Sequence, residues 1–323
     1  MLKFIIIASK LNYFIYKWKK NMKIASIDIG SNTVLLLIAE VNGSEIIPIV
    51  NEYRIPRISS DLSKNGFILE ESVNRLFEVL TEYKSLINFH NCDRVLVNGT
   101  QALRIASNSA EILSKIKKKF NFDLNIIPGE TEALYSFKGA LSSFTESGNY
   151  LMIDIGGAST EIVIGNRNEI SFKKSFPIGV VVGKEKYLKS NPPQNDEILF
   201  FKNELSMIFS ELKTIDFSNL QIIAVAGTPT TLAALKLGLE EYSESKIEKS
   251  FLTNTDLEYF SNKFQKLTYS EIKYHYSPII NGREDVIFSG TLILDYLLQL
   301  FNSEMLFVSG RGLRYGAILD IQK

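Results

Sequence analysis

The stretch Ile24-Ala25-Ser26-Ile27-Asp28-Ile29-Gly30-Ser31-Asn32-Thr33, continued by the apolar run Val34-Leu35-Leu36-Leu37-Ile38-Ala39, decides the fold, because its plan occurs twice in the chain. Two apolar runs joined by a short polar turn with a glycine read as a β-hairpin, and residues 45–50 supply a third strand. The plan returns at Leu151-Met152-Ile153-Asp154-Ile155-Gly156-Gly157, followed by runs at 160–165 and 170–176. Each triplet leads into a stretch with apolar residues at helical spacing: Val73, Leu76, Phe77 and Leu80 in one half, Phe200, Leu205, Ile208 and Leu212 in the other. A short apolar strand ending in Gly99-Thr100 or Gly227-Thr228 comes next, and then another helix. Asp28 and Asp154 are 126 positions apart, and Gly99 and Gly227 are 128 apart. So constant an offset is the mark of a long-period duplication.

Length and composition agree with that reading. A chain of 323 residues exceeds what one core usually serves, so two domains are expected. The fold class read from the pattern is α/β, with duplicated actin-like (ribonuclease H-like, βββαβα) lobes flanking a central cleft. Residues 1–21 read as an N-terminal extension and 22–138 as lobe I, to which, as likeness to the actin-like architecture implies, 312–323 return. Residues 139–311 read as lobe II. The extension carries an apolar run, residues 4–8, that is too short to span a bilayer and is followed by Lys10, Lys17, Lys19 and Lys20. It has no small-residue cleavage site, and no later segment reaches the ~20 uninterrupted apolar residues of a membrane helix.

With 45 % apolar residues, 22 % charged residues and a formal net charge of zero, the chain has no overall field to attract a nucleic-acid duplex or a membrane. A polyanionic ligand would need a local positive cluster. The single cysteine, Cys92, excludes an intramolecular disulfide framework and fits a reducing, cytoplasmic setting. With two histidines, His90 and His275, a histidine-rich metal cage cannot be built. Catalysis therefore falls to carboxylates, backbone amides and metal-bound water.

Asp28 and Asp154 each end an apolar first strand at equivalent places, which puts two carboxylates on opposite walls of one cleft. An acid that ends a buried strand is costly without a task. For either one alone, a turn-initiating Asp bonded to its own loop is the alternative. Glu161 lies on the return strand of the second hairpin, so it and Asp154 can approach one point and offer a seat for Mg2+. Pairing with a lysine on an exposed strand is the alternative for Glu161.

Gly30 and Gly156-Gly157 let the backbone come close to a ligand, and the turn amides form an anion-binding concavity. Ser31, Asn32 and Thr33 in one turn, and Ser159 and Thr160 in the other, add side-chain donors. Gly227 and Thr228 open a helix whose N-terminal amides make a further anion site, although capping alone would explain part of this. Glu130 and Glu132 fall in the first turn of a helix, where acids are favoured by the helix dipole. A carboxylate there without a strong cationic partner can also orient a water.

Taken together, these residues resemble the exopolyphosphatase / guanosine pentaphosphate phosphohydrolase family of the actin-like superfamily. The resemblance is carried by Asp28 to Thr33, Gly99-Thr100-Gln101-Ala102-Leu103-Arg104, Pro128 to Ala133, Asp154 to Glu161, Phe176-Pro177-Ile178-Gly179, Gly227 to Leu232, Arg283-Glu284-Asp285 and the closing Val308 to Arg314. It implies that Glu132 is the catalytic glutamate and that Glu130 falls where the family varies. Asp154 and Glu161 are similar to its metal-associated acids, and Arg104 to its phosphate-binding arginine. The turns around Gly30-Ser31-Asn32 and Gly156-Gly157-Ala158-Ser159 correspond to its phosphate cradle. Mg2+ or Mn2+, with K+ beside it, is the expected cofactor, and a homodimer is the expected assembly, although no residue of the sequence speaks for it.

The chain departs from the family pattern at Ala158 and Ala226, which stand where glycines are usual; a positive φ at Ala158 would strain the cradle. It looks like the short, two-domain form. The expected activity is release of orthophosphate from the ends of inorganic polyphosphate. Lys173, Lys174, Lys184, Lys186 and Lys189 are candidates for holding the rest of the chain or, equally, a solvated face. A guanosine pentaphosphate substrate, and with it a place in the stringent response, is the alternative. A non-catalytic polyphosphate or alarmone sensor is a further one, and a kinase or chaperone ATPase of the same superfamily a weaker one.

Overall fold

The computed structural model describes residues 22–321; the N-terminal extension lies outside the described residues. Five strands make the first sheet: β1 (Met22–Ile29), β2 (Val34–Asn42), β3 (Glu45–Arg54), β4 (Arg94–Gly99) and β5 (Leu124–Ile126), in the order β3-β2-β1-β4-β5. The second contains β6 (Asn149–Ile155), β7 (Thr160–Gly165), β8 (Ile170–Phe176), β9 (Leu220–Val225), β10 (Phe251–Thr253) and β11 (Met305–Val308), in the order β10-β11-β9-β6-β7-β8. Without the antiparallel edge strand β10, the two sheets have one topology. In each, an antiparallel meander is extended by parallel strands on the far side of its first strand.

The helices that bear on the site are α1 (Glu70–Phe89), α2 (Ser109–Phe120), α3 (Gly129–Leu141), α4 (Asn195–Ile208), α5 (Gly227–Lys236), α6 (Ile287–Leu300) and α7 (Leu313–Asp320). The βββαβα plan expected from the repeat is present in both halves, and the lobes are actin-like in topology. The second half carries extra helices between α5 and β11.

Side-chain alternation decides what each face of the central strands meets. On β1, Ala25, Ile27 and Ile29 point into the core under α1 and α2, with Leu76, Leu80, Ile112 and Ile116. Ile24, on the opposite face, packs with Leu37 and Ala39 against Tyr315 and Ile318 of α7. On β6, Leu151, Ile153 and Ile155 enter the large core with α5 and α6. Tyr150 and Met152 meet Ala133, Phe137, Ala140 and Leu141 of α3.

The helices have thus changed partners. α3 follows the first sheet in sequence but buries its apolar face on the second, whereas α7 follows the second sheet and packs on the first. The expected cut after residue 138 falls inside α3. Where α3 and α7 cross, a Cβ on Gly316 would lie 1.8 Å from the Tyr135 carbonyl oxygen, and one on Gly139 would lie 2.1 Å from that of Gly312. The backbones touch because both positions are glycine. Lys138 Nζ adds an ion pair to Asp320 at 2.6 Å. Among the described residues no helix is long and apolar enough to cross a membrane.

Candidate active site

The period-two alternation that sends Ile27 and Ile153 into the cores sends Asp28 and Asp154 to the opposite faces, toward the crossing helices. Each aspartate stands one residue before the end of its strand, opposite Leu35 and Glu161 respectively. Beyond them the two hairpin turns close identically: Gly30 N–H donates to the Thr33 carbonyl at 3.0 Å, and Gly156 N–H to that of Ser159 at 2.9 Å. The turns meet across the cleft. A Cβ on Gly157 would lie 2.9 Å from Cβ of Ser31, so glycine is what permits this approach.

Between them lies a cavity of about 150 Å³. A single water needs roughly 10–15 Å³ measured in this way, so a phosphoryl group and several waters fit. Of the residues singled out in the sequence, Asp28, Gly30, Ser31, Asn32, Thr33, Glu132, Asp154, Gly156, Gly157, Ala158, Ser159, Gly227 and Thr228 line it. Arg104, Thr160 and Glu161 do not. The Thr160 hydroxyl donates to the Ile178 carbonyl at 2.6 Å, and Glu161 is buried behind the wall, accepting from Ser175 Oγ at 2.6 Å.

Glu132 enters the cavity from the first turn of α3, and it is not without a cationic partner, contrary to the expectation. Arg104 Nη1 donates to Glu132 Oε2 at 2.7 Å and to the Ile127 carbonyl at 2.8 Å, while Gln101 Oε1 accepts from Arg104 Nη2 at 2.7 Å. The helical turn carrying Arg104 (Gln101–Ile105) follows β4 and leans against the start of α3, which brings the guanidinium behind the carboxylate. Arg104 therefore fixes the orientation of Glu132 from outside the cavity. Glu130 points away, paired with Lys173 at 2.9 Å.

Four acids thus crowd one seam, and among the described residues one ion pair, Arg104 to Glu132, serves them. Burial, with Glu132 and Asp154 adding repulsion, pushes the Asp28 carboxyl from 3.8 up to about 8 against the pull of Arg314. Burial raises Glu132 to about 7, with Arg104 opposing and Asp154 reinforcing the rise. Asp154 is raised by burial, and Glu161 lies well above the carboxylate range through burial and the charges of Glu132 and Asp154. Asp28 Oδ1 is buried without a hydrogen-bond partner.

A cluster of hard oxygen donors with uncompensated negative charge suits a divalent cation of the Mg2+ type. Among the described residues no three His, Cys, Asp or Glu side chains gather closely enough to enclose an ion by themselves. A cation here would rely on one or two carboxylates and complete its sphere with water and phosphate oxygens, which is the habit of Mg2+.

The alanine departures resolve differently. Ala158 is not among the residues with positive φ, so its methyl is accommodated without strain. Ala226, the residue before α5, has φ 78° and ψ −169°, a region that is essentially the preserve of glycine. Backbone strain sits on the strand-to-helix turn rather than on the second hairpin.

Arg283 and Arg314, quoted in the sequence motifs without a role, also line the cavity. Arg283 is buried, donates to Thr231 Oγ1 at 3.0 Å and lies over the Tyr53 ring, and Arg314 donates to the Leu36 carbonyl at 3.0 Å. Basic residues within the quoted motifs were the available signal; their convergence from β11–α7 and the loop before α6 was not legible.

Fold and site together define a two-lobed, actin-like protein whose two glycine-bearing turns face each other over a cleft that carries a cluster of buried acids. The chain belongs to the Ppx/GppA phosphatase family, whose profile matches residues 37–323. It is 34 % identical over 317 residues to a bifunctional 3-dehydroquinate synthase/phosphatase of Fusobacterium nucleatum, covering 94 % of this chain and 47 % of that protein. It therefore spans about half the length of that curated relative. It is 29 % identical to exopolyphosphatase 2 of Mycobacterium tuberculosis, covering 86 % of this chain and 90 % of the relative. A guanosine-5'-triphosphate,3'-diphosphate pyrophosphatase of Pseudoalteromonas translucida is 29 % identical, with 92 % of this chain and 59 % of that protein covered. Among solved structures, the Ppx/GppA family member of Aquifex aeolicus superposes with a TM-score of 0.80 at 30 % identity, over 94 % of this chain and 98 % of its own.

Proposed function

We propose that the chain hydrolyses terminal phosphoanhydride bonds, releasing orthophosphate from inorganic polyphosphate in the cytoplasm. The observation that carries this reading is the meeting of two matched anion-binding turns over the buried, arginine-held carboxylate of Glu132. The amides of the turns at Gly30 and Gly156, with the hydroxyls of Ser31 and Ser159, would hold the oxygens of the terminal phosphoryl group. The amides of α5 at Gly227 and Thr228 would serve the next. Glu132 would orient the attacking water and accept its proton. Its elevated pKa near neutrality makes it a competent base at cytoplasmic pH, and Arg104 keeps it aimed.

Asp154 would hold Mg2+ or Mn2+ from the cavity wall, with Glu161 behind it and Asp28 opposite. When bound, the cation would offset the charge of the phosphate oxygens and of these acids, and K+ is a further candidate ion for the cleft. Phosphoryl transfer needs little beyond such positioning and charge neutralisation. The relative of the pyrophosphatase type supports guanosine pentaphosphate as a second substrate for the same chemistry.

Phosphate release from polyphosphate in the presence of Mg2+ tests the reading. Glu132→Gln should lower kcat by roughly 10²- to 10⁴-fold with little change in KM. Equal release by the variant would remove Glu132 from the mechanism, and tight binding without any release by the parent protein would favour a sensor.

A further inference from the structure

A second depression begins where the cleft ends. It has a volume of about 630 Å³ against about 150 Å³ for the cleft, and the two share Asn32 and Val286 in their walls. Its floor is tied to the first phosphate turn by backbone hydrogen bonds. Arg57 N–H donates to the Asn32 carbonyl at 3.1 Å, and Ser59 N–H to that of Ser31 at 3.0 Å. Ser59, Ser60 and Ser63 contribute hydroxyls. Arg57, Lys64, Lys184, Lys186 and Lys189 supply the positive charge.

Three carboxylates also line the groove, and two of them are spoken for. Asp61 pairs with Lys64 at 2.6 Å, and Asp285 with Arg57 at 2.7 Å, which leaves Glu185 against Lys184, Lys186 and Lys189. The last three form no ion pair among the described residues, whereas Lys173 and Lys174, the other two lysines singled out in the sequence, pair with Glu130 and Glu211. Lys184 and Lys186 are set by a π-helical turn, Gly183–Tyr187. Such turns are rare and often accompany function.

We propose that this groove carries the phosphates of a long polyphosphate chain beyond those held in the cleft, with Lys184, Lys186 and Lys189 as its counter-charges. The inference rests on the polyphosphate reading above and sharpens it, since the groove adjoins the cleft and would engage a phosphate chain longer than the cleft itself holds. A net positive lining raises local polyanion concentration in a salt-dependent way.

The test is steady-state phosphate release by the parent chain and by the triple variant Lys184→Ala/Lys186→Ala/Lys189→Ala, on tripolyphosphate and on long-chain polyphosphate. KM for the long chain should rise on the order of tenfold in the variant and lose its salt dependence, with the tripolyphosphate constants moving less than twofold. Glu185→Gln should shift the long-chain KM the other way. Equal changes on both substrates, or none on either, overturn the groove while leaving the hydrolase reading intact. Should the parent release no phosphate at all, the hydrolase reading falls. The groove is then judged by titrating long-chain polyphosphate into both proteins: a tenfold weaker affinity in the variant supports it, and equal affinity overturns it.

Discussion

At the scale of single residues, two features store free energy in the site. Ala226 occupies a backbone region costing on the order of 1–3 kcal/mol for a residue with a Cβ, while glycine there would lose about 0.5–1 kcal/mol through its freer unfolded chain. Ala226→Gly should therefore stabilise the protein by about 1 kcal/mol, read as a Tm rise of roughly 2–4 °C. An unchanged or lower Tm would show the strain to be relieved elsewhere. Asp28 is the second feature. Its carboxyl moves from 3.8 to about 8 on folding, so the native state keeps a proton that the unfolded state has lost. Stability from this group is full below about pH 4 and disappears as pH rises to about 8. Without divalent cations the protein should lose Tm over this window, and Asp28→Asn should flatten the loss. Both aspartates were legible because a charged residue interrupts an apolar strand twice at one spacing. The strain was not, since a φ angle depends on how β9 is joined to α5.

At the scale of elements, the crossing of α3 and α7 delivers Glu132 to Asp154 and Arg314 to Asp28. Each helix comes from the end of one half and lands on the sheet of the other, so both halves contribute to each wall. The crossing is as close as two backbones allow, and Gly316→Ala would drive a methyl into the Tyr135 carbonyl. Overpacking of this kind costs about 1–3 kcal/mol or more. The variant should show a Tm fall of several degrees and reduced activity together, because separating the helices also withdraws Glu132. A Tm loss with full kcat would uncouple the crossing from the site. The sequence announced α3 by the acids of its first turn and α7 by the expected return of 312–323, but it gave no sign that α3 would leave its own half. Apolar periodicity says that a helix has a face to bury, and it is silent about which sheet will cover it.

At the scale of the whole molecule, the lobes are joined over the cleft by a bidentate pair, with Arg57 Nη1 and Nη2 each 2.7 Å from an oxygen of Asp285, and by the edge-to-face rings of Tyr53 and Tyr242 at 6.0 Å. The cleft therefore stands closed, and its opening must break both. Arg57 is partly exposed, so the coupling in a double-mutant cycle of Arg57→Ala and Asp285→Ala should be about 1 kcal/mol. The single variants should open the lobes, detected as a larger radius of gyration. A zero coupling energy with unchanged dimensions would show that the pair is incidental to closure.

The sequence by itself determined the duplicated βββαβα plan, the two Asp-led turns and the part of the cavity lining that those turns supply, because strand alternation, turn glycines and a constant offset are local properties that survive in one dimension. Tertiary structure alone decided that Arg104 stands behind Glu132, that Glu161 is walled off from the cavity, that α3 leaves its own half for the second sheet, and that three of five candidate lysines share one groove. Each of these depends on which distant surfaces the buried faces select, and that selection is made by packing across the whole chain.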